Sequence, residues 1–116
     1  MIKNLSIKVL VLSVVLMMSL TDLNAQTRVR FRRGSNSTTI SGTLAAGVTR
    51  GYVLGARSGQ ILSATVSSSN GKVDFTQGAY HDSQYSMTIE RNGDAYISID
   101  NHGGRATRYT LTISIQ

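Results

Sequence analysis

Tyr109-Thr110-Leu111-Thr112-Ile113-Ser114-Ile115-Gln116 is the stretch that decides the fold. Every second residue is apolar, and those between are small or polar. A strand sends alternate side chains to opposite faces, so this pattern is a strand with one face on a core and the other in water. The same alternation recurs in Leu62, Ala64 and Val66, in Tyr85, Met87 and Ile89, and in Ala95, Ile97 and Ile99. Nothing after residue 25 carries a helical repeat.

Turn residues punctuate these runs. Asn92-Gly93 lies between two of them and predicts a hairpin, because a type I′ turn needs positive φ at both central positions. Asn70-Gly71 is a second candidate. Strands are expected near 27–33, 37–43, 50–56, 60–68, 72–76, 84–91, 94–100 and 106–115. This predicts an all-β protein, a small antiparallel β-sandwich of jelly-roll-like form.

The segment before this domain has a different character. Lys3 and Lys8 give a positive start, Val9 to Leu20 is an apolar run broken by Ser13 and Ser19, and Thr21-Asp22-Leu23-Asn24-Ala25 is polar and ends small. That order predicts a cleaved signal peptide over residues 1–25 and a mature β-sandwich domain over 26–116. The run falls short of the roughly 20 apolar residues a membrane span requires. The expected location is periplasmic or secreted, with no transmembrane segment after cleavage.

With 116 residues and neither Cys, Pro nor Trp, the chain has room for one domain. A disulfide scaffold, a thiolate metal site and a cysteine nucleophile are all excluded. The two histidines, His81 and His102, read as solvated turn residues, since no second anchoring pair gives a zinc spacing. No GxSxG elbow is present. Glu90 and Asp94 flank Asn92-Gly93 and read as the ends of a hairpin, not as an acid–base pair. Asp100-Asn101 matches no calcium-loop spacing. The chain therefore reads as a non-enzyme, with no catalytic residue, cofactor or metal.

Two segments point to binding instead. In Arg28-Val29-Arg30-Phe31-Arg32-Arg33, alternation puts Arg28, Arg30 and Arg32 on one face and Val29 and Phe31 on the other. Such a stripe can blunt a sheet edge against pairing, or bind an anionic envelope polymer or an acidic partner. A nucleic-acid target is not expected, because exposed aromatics beside the cations are lacking. The second segment is the loop Gly78-Ala79-Tyr80-His81-Asp82-Ser83. Tyr80, with His81 and Asp82 beside it, is a candidate contact for a protein partner or a sugar.

Three stretches taken together carry a family resemblance. They are Val29 to Leu44 with its Ser41-Gly42, Tyr52 to Leu62 with its Gly59-Gln60, and Gly93 to Ile99 followed by Tyr109-Thr110-Leu111-Thr112-Ile113. Their order is similar to bacterial pre-peptidase C-terminal-like domains, and particularly to the related secreted inhibitors of g-type lysozyme. The resemblance covers about residues 28–115, and Gly42, Tyr52, Gly59, Gln60, Tyr96, Tyr109 and Leu111 match positions that shape the sandwich. It implies a non-catalytic module that inhibits g-type lysozyme by placing loops into the muramidase cleft. The alternative is a cell-envelope module binding anionic glycan or surface polymer through the arginine face.

Overall fold

The computed structural model describes residues 26–78 and 81–116. The strands are β1 (Thr27–Arg28), β2 (Ser37–Leu44), β3 (Thr49–Ala56), β4 (Ile61–Ser68), β5 (Val73–Phe75), β6 (Gln84–Thr88), β7 (Gly93–Asn101) and β8 (Thr107–Ile115). They form two four-stranded sheets, β1-β3-β7-β5 and β2-β8-β4-β6. The expected sandwich is the observed one. The apolar phases read from the sequence face inward: Leu62, Ala64, Val66, Ala95, Ile97, Ile99, Leu111, Ile113 and Ile115 are all buried in one core.

The chain alternates strictly between the sheets, with odd strands in one and even strands in the other. No two consecutive strands among those described are hydrogen-bonded to each other. Pairing is nested instead: Ser37 faces Ser114, Thr49 faces Asp100, and Ile61 faces Thr88. This is the winding of a jelly roll.

The nesting corrects the expected hairpin at Asn92-Gly93. That turn carries the chain from β6 in one sheet to β7 in the other. Gly93 has φ 141°, but His81 is the one non-glycine residue with positive φ among those described. Asn92 therefore does not take the type I′ conformation. Its side-chain oxygen instead accepts the Ser58 N–H at 2.8 Å, and Ser58 Oγ donates to the Glu90 carbonyl at 3.0 Å. Two sheet-crossing turns thus brace each other at one end of the sandwich. Glu90 and Asp94 are not hairpin ends: Asp94 is the second residue of β7, opposite Gly55, and Glu90 sits in the crossing. Asn70-Gly71 is likewise a crossing, from β4 to β5.

Two strands are shorter than expected. β1 ends at Arg28 and pairs parallel with β3, so the first sheet is mixed where an antiparallel one was expected. One further bond, from Val29 N–H to the Val53 carbonyl at 2.8 Å, ends the contact, and the chain then crosses to β2. β6 stops at Thr88 because Ile89 turns away to exchange backbone bonds with the β3–β4 turn, donating to Gln60 at 2.7 Å and accepting from Gly59 at 2.8 Å.

A polar clasp joins the sheets inside the core. Tyr52 on β3 and Tyr109 on β8 meet hydroxyl to hydroxyl at 2.5 Å. Arg50 donates to the Tyr109 hydroxyl at 2.9 Å and to the Thr43 carbonyl at 3.1 Å. Burial, then the bond with Tyr109, pushes the Tyr52 phenol well above its ordinary range, and Arg50 opposes only part of that shift. Gly42 lies opposite Tyr109, where a Cβ would stand 2.9 Å from the hydroxyl oxygen. The clasp therefore needs a residue without a side chain there. The residues carrying the family resemblance, Gly42, Tyr52 and Tyr109, are in this way one structural unit.

Candidate functional site

β5 holds only three residues, and it pairs with just the last three of β7. Two features follow on that side of the molecule. Beyond β5, the Gln77 carboxamide takes the place of a strand: its Nε2 donates to the Tyr96 carbonyl and its Oε1 accepts the Ser98 N–H, both at 3.1 Å. Past Gln77 a groove of about 690 Å³ opens between the sheets. Tyr85, Met87 and Ile89 form one wall, Ala95 and Tyr96 the other, and Glu90, Arg91 and Asp94 add charge. Tyr96 is 51% exposed, which is unusual for a residue of its size in this fold.

The second feature is a cluster on the outer face at the β5 edge. Val73 and Phe75 point into the core, so Asp74 between them points outward. Asp74 is nevertheless buried, because His102 from the β7–β8 connection lies over it with Nε2 2.5 Å from Oδ2. His81 from the β5–β6 loop stacks on His102, with centroids 4.1 Å apart and planes 8° from parallel. His81 holds φ at 55°, a left-handed conformation uncommon outside glycine but one that histidine takes more readily than most residues. Asp100 stands directly opposite Asp74 on β7, and all four residues line a cleft of about 360 Å³.

Both histidines are exposed and lie in connections between strands, but they are not independent of each other. The fold brings them together although they are far apart in sequence, because β5 and the end of β7 are neighbours. Asp74 was missed as a site residue, and no local spacing could have revealed it. The third group against the Asp74–His102 couple is an imidazole, not a hydroxyl. The arrangement presents nitrogen and carboxylate donors, not an activated nucleophile.

The other expected contact residues are placed as follows. Tyr80 lies outside the described residues. Asp82 is half-buried and shapes its own loop. Its Oδ1 accepts the Gln84 N–H at 3.0 Å, and its carbonyl accepts the Phe75 N–H at 2.9 Å. Arg28, Arg30 and Arg32 are exposed, with buried Val29 and half-buried Phe31 between them, as the alternation requires. Arg28 reaches across β3 to Asp94 on β7 at 3.0 Å. Both partners are exposed, so the pair contributes little to stability. Arg30 and Arg32 carry the remaining charge of the stripe. Among the described residues, no helix is long and apolar enough to cross a membrane.

These observations define a class: a jelly-roll-wound β-sandwich whose candidate surfaces are an open flank, an outer-face cluster and an arginine stripe, all shallow. Its fold is shared with solved periplasmic inhibitors of g-type lysozyme. The PliG inhibitor of Aeromonas hydrophila superposes with a TM-score of 0.67 at 22% identity, over 79% of this chain and 96% of that one. PliG of Salmonella Typhimurium gives 0.57 at 23% identity, over 78% and 97%. A mutant PliG of Escherichia coli gives 0.59 at 20% identity, over 78% and 97%. All three are periplasmic inhibitors of g-type lysozyme. No family model matches the sequence, and no curated protein matches it either.

Proposed function

We propose that this protein is a non-catalytic binding module of the periplasm that inhibits a g-type lysozyme, with residues 1–25 serving as its export signal. One observation carries the reading: the fold matches those inhibitors over 96% or more of their length. The contact surface in this reading is the β5–β6 loop with Tyr80, His81 and Asp82, which enters the muramidase cleft. The test is a cell-wall lysis assay with the protein lacking residues 1–25, run against goose-type and chicken-type lysozymes at two salt concentrations. Stoichiometric inhibition of the goose type alone is the expected outcome. Undiminished lysis in the presence of folded protein would refute the reading.

The arginine stripe favours a second reading, an envelope module that binds anionic glycan or surface polymer. Arg30 and Arg32 are both exposed, and the chain carries a net charge of +6. Binding of this kind weakens steeply with salt and is lost when both arginines become glutamate.

A further inference from the structure

We propose that Asp74, His81 and His102 form a binding site for a divalent transition-metal ion of the zinc class. One ligand atom from each lies within 4.8 Å of the other two. The three come from separate places in the chain: β5, the β5–β6 loop and the β7–β8 connection. Two imidazole nitrogens and a carboxylate oxygen are a donor set that zinc, cobalt and nickel accept. Calcium and magnesium prefer oxygen donors throughout, so they fit poorly.

Charge points the same way. Asp74 and Asp100 are directly opposed in the β5–β7 ladder, so their side chains share one face. Like charges opposed in this way destabilise a sheet, and a cation bound beside them would relieve what the His102 contact to Asp74 and the Thr49 hydroxyl on Asp100 leave. The chain is basic overall, yet here it places two carboxylates in one cleft. His81, stacked on His102, places a second imidazole at that cleft, where a divalent ion would be shared by all three side chains. The ion would also tie the β5–β6 loop to the sheet edge. Such a site does not depend on lysozyme inhibition.

The test is titration of chelator-treated, tag-free protein with Co²⁺, read by visible absorption, and with Zn²⁺, read by calorimetry. One equivalent of ion and a tetrahedral cobalt spectrum are expected. His81 is exposed, so His81→Ala should fold like the parent, and its metal-free melting curve checks this. It should weaken binding about tenfold or more, with Asp74→Asn and His102→Gln doing the same. Zinc should raise the melting temperature of the parent and not of His81→Ala. Absence of stoichiometric binding in the parent overturns the proposal. So does binding that persists unchanged in His81→Ala, since the ion would then be held elsewhere.

Discussion

Asn101 shows how much one residue can hold together. It is completely buried, and its carboxamide is fully used. Nδ2 donates to the Leu44 carbonyl at 3.0 Å and the Arg105 carbonyl at 2.8 Å; Oδ1 accepts from Gly103 N–H at 2.9 Å and Asn70 Nδ2 at 3.3 Å. One side chain thereby fastens the end of β2, the β7–β8 connection and the β4–β5 turn. Asn101→Leu keeps the branched shape but strands those groups. We expect it to cost about 2–4 kcal/mol, read from urea unfolding; a loss below about 0.5 kcal/mol would contradict this role. In the sequence, Asn101 sits beside Asp100 at the end of an expected strand, and nothing local marks it as buried. Its partners are brought in from three other places, and so are those of His81 and His102. The residue types of the candidate site were legible, but their meeting was not.

Strands were legible because their signal is local. Period-two alternation is a property of five to nine neighbouring residues, and it located β4, β7 and β8 to within a residue or so. Which strands pair is not local. Asn92-Gly93 has hairpin composition, but β6 and β7 lie in opposite sheets, with the flank groove between their apolar residues, not side by side. The clasp between β3 and β8 makes stability depend on alkaline pH. Tyrosines in the unfolded chain ionise near pH 10, whereas folded Tyr52 is held protonated to higher pH. Its contribution to stability is therefore complete below about pH 10 and declines as pH rises further. Denaturant midpoints taken from about pH 8 to 11.5 should fall at the alkaline end. Tyr52→Phe should flatten that fall, and an equally steep fall in the variant would argue that other groups cause it.

Over the whole molecule, every ladder joins distant parts of the chain. Thr39 and Thr112, cross-strand neighbours on β2 and β8, are 73 positions apart. Loops must close before such contacts form, so refolding is expected on the millisecond-to-second scale typical of non-local β topologies. The chain has no proline, so no prolyl isomerisation can add a phase of tens of seconds. Stopped-flow fluorescence from the tyrosines measures both expectations. Microsecond refolding, or a dominant phase of minutes, would contradict them.

The position of β8 also governs when folding can begin. It is the last strand in sequence, yet in its sheet it lies between β2 and β4. Its predecessor β7 lies between β3 and β5. A nascent chain that has not yet released residues 107–115 can pair neither β2 with anything nor β4 on that side. The sandwich is thus closed to a polypeptide still emerging from a ribosome or threading a translocation pore. Topology alone keeps such a chain pliable until synthesis or passage has reached its final strand.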